Sequence, residues 1–78
     1  MPSFHQASAK SWAAIRASTH IGTYQLLEKL RIDGPQALTD LPPYVQDCLS
    51  DMVAAGFVTQ EEGVISITED GIKHLRSF

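Results

Sequence analysis

One stretch of this 78-residue chain, residues 49–71 (LSDMVAAGFVTQEEGVISITEDG), constrains the fold more than any other. It opens inside an amphipathic helix, where Leu49, Met52 and Val53 recur at helical spacing. Gly56 then stands where a left-handed residue closes a helix. Residues 57–59 and 64–67 read as two strands around Gln60-Glu61-Glu62-Gly63, a short connection ending in glycine. Thr68 follows as the N-cap of another helix, with Glu69 and Asp70 in its first turn, where the helix dipole favours acids. Ile72 and Leu75 anchor that helix, and Lys73, His74 and Arg76 lie toward its C-terminal end. Helix, glycine stop, hairpin and capped helix, in that order, leave few folds open.

The upstream segments are helical by pattern. Residues 4–19 are rich in alanine, and Ser8, Trp12, Ile15 and Thr19 fall on one side at helical spacing behind a possible cap at Ser3. Phe4, Trp12 and Ile15 need an apolar support, supplied either by the rest of the domain or by a second copy of the chain. The sequence leaves both open. His20-Ile21-Gly22 interrupts the pattern, and Thr23 is expected to cap a second helix to about Arg31, with Tyr24, Leu26, Leu27 and Leu30 on its inner face. Gly34-Pro35 ends it, and Ile32 is placed as a one-residue bridge to the hairpin. Residues 35–41 read as a short third helix with Ala37, Leu38 and Leu41 inward. Pro42-Pro43 forces a turn, because a residue preceding proline avoids the helical region. A fourth helix starts at Pro43 or Tyr44 and runs to Ala55, burying Val45, Leu49, Met52 and Val53 with Cys48 alongside.

These elements predict a mainly α chain with a small β-hairpin: an N-terminal helix over residues 1–20, then a compact unit over 21–78. Leu49-x-x-Met52-Val53-x-x-Gly56-Phe57-Val58, the hairpin, and Ile67-Thr68-x-x-Gly71 resemble the winged helix-turn-helix regulators of the MarR, ArsR and PadR kind, over about residues 21–76. That resemblance implies a recognition helix over residues 43–55, with Tyr44, Gln46, Asp47, Ser50, Asp51 and Ala54 facing outward. It also implies a wing whose tip carries Glu61 and Glu62, and duplex DNA as the partner of a dimer.

Charge opposes the DNA half of that implication. Residues 1–31 carry Lys10, Arg16, Lys29 and Arg31 against Glu28, whereas residues 32–78 carry eight acids against Lys73 and Arg76. Residues 49–71 hold five carboxylates and no Lys or Arg. A nucleic-acid binder concentrates positive charge on its docking face, and here the sign is reversed. The fold pattern keeps the regulator narrowly first, with a protein-interaction module as the alternative. The first is a dimeric DNA-binding regulator drawing on Lys29 and Arg31 and held together through Phe4, Trp12 and Ile15. The other is a protein-interaction module whose acidic helix and wing meet a basic partner at Tyr44, Gln46, Asp47, Ser50, Asp51, Glu61 and Glu62. A third reading is a unit that only dimerises.

Other chemistry finds no pattern to stand on. No nucleophile sits beside a base and no glycine-rich phosphate loop is present, so an enzyme is not expected. The single Cys48 and the scattered His5, His20 and His74 do not make a metal site, and no cofactor is expected. One cysteine suits a reducing, cytoplasmic setting. No apolar run approaches the ~18 residues of a membrane span, and the first ten residues lack the layout of a signal peptide.

Overall fold

The computed structural model describes residues 9–77. Its order is α1 (Ala9–Ser18), α2 (Ile21–Asp33), β1 (Gln36–Ala37), a 3-10 turn (Leu38–Asp40), α3 (Val45–Ala55), β2 (Val58–Glu61), β3 (Val64–Ile67) and α4 (Glu69–Arg76). Four helices thus surround a small antiparallel sheet of order β1-β3-β2. Leu26, Leu27 and Leu30 of α2, Val45, Met52 and Cys48 of α3, and Val58 and Ile65 of the hairpin form the fully buried centre.

The joint between α3, the hairpin and α4 follows from three residues of residues 49–71. Gly56 adopts φ 82° and ψ 15°, the left-handed region where a Cβ is costly. The Gly56 N–H donates to Val53 O at 3.0 Å and the Phe57 N–H to Met52 O at 2.9 Å, the paired bonds of a Schellman stop. Thr68 caps α4 by accepting from the Gly71 N–H at 3.0 Å, and its hydroxyl donates to Gly56 O at 2.5 Å. Gly71 is there for contact. A Cβ on it would lie 2.2 Å from Phe57 O.

Several expectations are corrected. The chain between α2 and α3 is not a full helical segment over residues 35–41, and Ile32 is no bridge. Ile32 lies exposed in the last turn of α2. The bridge forms four residues later, where Gln36 pairs with Ile65 and Ala37 with Val64. A sheet edge was available to those backbone groups, and a strand satisfies them better than one turn of helix. Helix can then start only at Leu38 and must stop at Leu41, which is extended (φ −96°, ψ 150°) ahead of Pro42. Thr23 does not cap α2. His20 does, its Nδ1 accepting from the Gly22 N–H at 2.9 Å. Thr23 is fully buried in the first turn of α2, its hydroxyl directed at the Cys48 thiol and not at the helix backbone.

Two buried faces also rotate relative to expectation. Tyr24 is partly exposed, and Gly22 and Thr23 join the α2 leucines inside instead. On α3 the seam is Val45, Cys48, Leu49, Met52 and Ala55, so Val53 turns outward. On α1, where the sequence left the support of Trp12 and Ile15 open, the helix packs along α3 through Ala13 and Ala17 and leaves those two half exposed. Small side chains let two helices approach closely, so the alanine stripe wins the contact that hydrophobicity alone would assign to Trp12 and Ile15. Phe4 and Ser8 lie outside the described residues. The hairpin is tighter than expected: β2 runs on to Glu61, and the turn is Glu62-Gly63, with φ of 52° and 77°. Two positive φ values in a two-residue loop suit the right-handed twist of paired strands. Among the described residues no helix is long and apolar enough to cross a membrane.

Candidate functional site

Three elements meet beside the outer face of α3: the 3-10 turn, the helix itself and β2 with its turn. The Leu38 N–H donates to Gly63 O at 2.7 Å, which ties the hairpin tip to the start of the 3-10 turn. Between them runs a shallow groove lined by Leu38, Gln46, Leu49, Ser50, Val53, Ala54 and Gln60. Its floor is apolar, and amides and a hydroxyl edge it. Gln46 and Ser50 were expected to face outward and do. Val53 and Gln60 were not expected as contact residues. Their signal was present for Val53: positions 46, 50 and 53 follow the i, i+4, i+7 rule of one helix face.

Other expected site residues are elsewhere. Asp51 accepts from Arg16 Nε at 2.9 Å and belongs to the seam between α1 and α3. Tyr44 is half-buried over the start of α2, where a Cβ at Gly22 would come within 2.6 Å of its ring. Burial pushes the Tyr44 phenol pKa up, and the nearby Cys48 adds to that while Lys29 opposes it. Lys29 and Arg31 lie on α2, each in an ion pair with its own helix, to Asp33 at 3.2 Å and to Glu28 respectively. Neither lines the groove. Asp47, Glu61 and Glu62 are exposed, the first in the opening turn of α3 and the others at the hairpin tip.

Pairing sharpens the electrostatics. Lys10 meets Asp70 at 3.7 Å, Arg16 meets Asp51, and Lys73 meets Glu69 at 3.9 Å. With the two α2 pairs, five of the six Lys and Arg residues have a carboxylate partner, and Arg76 alone has none among the described residues. Such exposed pairs contribute little stability, about 0–1 kcal/mol each, but each cancels most of its own field. Among the described residues the carboxylates left without an ion pair are Asp40, Asp47, Glu61 and Glu62. All four belong to the three elements that border the groove.

No family model, curated protein or solved structure matches the chain. Function therefore has to be read from this face and from the remaining reactive groups. Among the described residues no group of three or more His, Cys, Asp or Glu is placed to hold a metal ion. His20 is engaged as a cap, and the His74 ring stacks on Phe57 with centroids 4.2 Å apart. Burial lowers the His74 pKa from its ordinary 6.5. Cys48 is buried, and desolvation raises its thiol pKa, with the nearby Thr23 hydroxyl pulling the other way and Asp47 and Asp51 adding to the rise. A thiol so placed is poorly ionised and shielded, the opposite of an activated nucleophile.

Proposed function

We propose that this chain is a winged helix-turn-helix protein whose α3 and hairpin face docks a basic segment of a protein partner instead of duplex DNA. The element order supports the scaffold: a helix, a short strand, a reduced second helical element, a longer helix and a two-strand wing, with β1 on the far side of β3 from β2. The carrying observation is the charge left after pairing. Asp40, Asp47, Glu61 and Glu62 lie on the 3-10 turn, α3 and the hairpin that together form the groove and have no ion pair among the described residues, and the groove itself is apolar through Leu38, Leu49, Val53 and Ala54. A cationic side chain arriving there has unpaired carboxylates on the surrounding elements, and the aliphatic stem of a Lys or Arg lies on the apolar floor. A phosphate backbone meets repulsion instead.

Amide NMR during titration with octalysine tests the docking face. Shifts are expected to concentrate on Gln46, Asp47, Ser50, Glu61 and Glu62, and to vanish in an Asp47→Lys/Glu61→Lys/Glu62→Lys variant. All three positions are exposed, so that variant keeps its fold. It should also gain duplex binding that weakens steeply with salt. Octalysine shifts confined to other elements would refute the reading.

A second reading, a DNA-binding transcription regulator, has one observation in its favour. Gln46, Ser50 and Gln60 share the groove edge, and amide and hydroxyl side chains are suited to base edges. Wild-type protein that retards duplex DNA at low salt, with shifts on α3 and the hairpin, would establish this reading over the first.

A further inference from the structure

We propose that the α3 groove takes an extended peptide segment, with one large apolar side chain on the groove floor and Lys or Arg on both sides of it. This rests on the docking face proposed above and names what that face selects: an apolar anchor, basic flanks and an open backbone.

Apolar and ionised groups are segregated here. The groove, about 490 Å³, is lined by Leu38, Leu49, Val53 and Ala54 together with the neutral polar Gln46, Ser50 and Gln60, and by no ionised residue. Val53 is 40% exposed, so the floor leaves aliphatic surface open to solvent. The carboxylates without an ion pair stand just outside this lining. Asp47 follows Gln46, Glu61 follows Gln60, and Asp40 lies shortly beyond Leu38. Side chains adjacent along a helix or strand point in different directions, so these acids flank the groove instead of entering it. Consecutive Cα atoms are about 3.8 Å apart, which keeps the acids within a Debye length of about 8–10 Å of the lining. An all-lysine occupant can lay only its stems on the floor and must keep every ammonium in water. A Leu, Ile or Met buries its side chain there, and bases before and after it reach the carboxylates.

The polar lining selects the backbone. Gln46 and Ser50 come from α3 and Gln60 from β2, and each can donate and accept hydrogen bonds. None of the three has a side-chain hydrogen bond to another described residue. A helix satisfies its own N–H and C=O groups and has no use for them. An extended chain loses water from those groups as it enters an apolar groove, and each one left unpaired weakens binding. The Leu38 N–H to Gly63 O bond ties one end of the groove to the hairpin, so the site is formed before the peptide arrives.

Fluorescence anisotropy with labelled octapeptides, and amide NMR to locate each one, tests this. In KKKLPKKK the proline holds the leucine out of the helical region. It should bind about fivefold tighter than octalysine despite its lower charge, because the leucine is buried. KKKSPKKK should lose that gain. Val53→Ser should remove the gain as well and leave octalysine binding unchanged; the KKKSPKKK comparison uses unaltered protein and stands even if that variant fails to fold. Gln46→Ala should weaken KKKLPKKK about fivefold through the lost backbone bond. If octalysine binds this face and KKKLPKKK binds no tighter, the anchor is overturned and the acidic-face reading survives. No shifts on this face with either peptide would end both. Tighter binding of KKKLAKKK with helical carbon-13 shifts would mean a helical occupant, and groove shifts on diluting the protein alone would mean a second copy; either overturns the proposal.

Discussion

Gly71→Ala separates two physical effects of opposite sign. Glycine to alanine inside a helix ordinarily stabilises by up to about 1 kcal/mol, through the entropy of the unfolded chain and helix propensity. At Gly71, the third residue of α4, the added Cβ would fall 2.2 Å from Phe57 O, 2.9 Å from Ile67 Cγ1 and 3.1 Å from Phe57 C. A carbon and a carbonyl oxygen tolerate about 3.3 Å, so α4 must retreat by roughly 1 Å from a backbone atom that has no rotamer to yield. The retreat strains the bonds that place the helix, Thr68 N–H to Phe57 O at 3.0 Å and Thr68 Oγ1 to Gly56 O at 2.5 Å. Overpacking costs about 1–3 kcal/mol, and each lost hydrogen bond about 1 kcal/mol net. After the propensity gain, a loss of about 2 kcal/mol remains, equivalent to roughly 8–16 °C in Tm for a domain of this size. Urea denaturation of wild type and variant with matched m-values measures it. A variant as stable as wild type, or more so, would show that α4 does not press on the Gly56-Phe57 turn, and the joint described above would be wrong.

Two further outcomes follow from single groups. Burial holds the His74 pKa below 6.5, so its neutral ring contributes stability that is complete above that value and is lost as pH falls through the folded pKa; urea midpoints at pH 7.5 and 5.5 should show this loss, and His74→Gln should shrink it. Asp51→Ala breaks the pair with Arg16 and should cost at most about 1 kcal/mol, speed amide exchange in α1, and leave the octalysine response intact, whereas Asp47→Ala should do the reverse.

The parts of the fold legible in the sequence were those with a local physical cause. Gly56, Thr68 and the glycine of the hairpin turn each act within a few residues, and the observed α3, hairpin and α4 follow from them. The segment around residues 35–41 was misread because its deciding partner is distant. Nothing near Gln36 and Ala37 announces that Val64 and Ile65 offer a sheet edge. Faces were misread at single positions, as when Val53 and Tyr24, expected inward, proved exposed, whereas the support for Trp12 and Ile15 had been left open. Of the candidate site, Gln46, Asp47, Ser50, Glu61 and Glu62 were placed outward correctly, because helix periodicity and a hairpin tip suffice for that. Asp51, Lys29 and Arg31 were not separable from them, since ion pairing depends on which helix lies alongside.

Asp47 and Asp51 show why the total charge of a segment is a poor guide to its function. They stand one turn apart on α3, and by sequence each is an exposed acid at i, i+4 spacing. The alanine stripe of α1 brings Arg16 onto Asp51 and leaves Asp47 alone, so one carboxylate becomes part of a seam and the other part of a surface. The same packing decides what happens to Trp12 and Ile15, because a helix that buries its small side chains must present its large ones. Placement of α1 therefore governs both which α3 carboxylate stays free for a basic partner and which α1 side chains face outward. Removing Ala13 or Ala17 from that contact should disturb both together, although neither residue lines the groove.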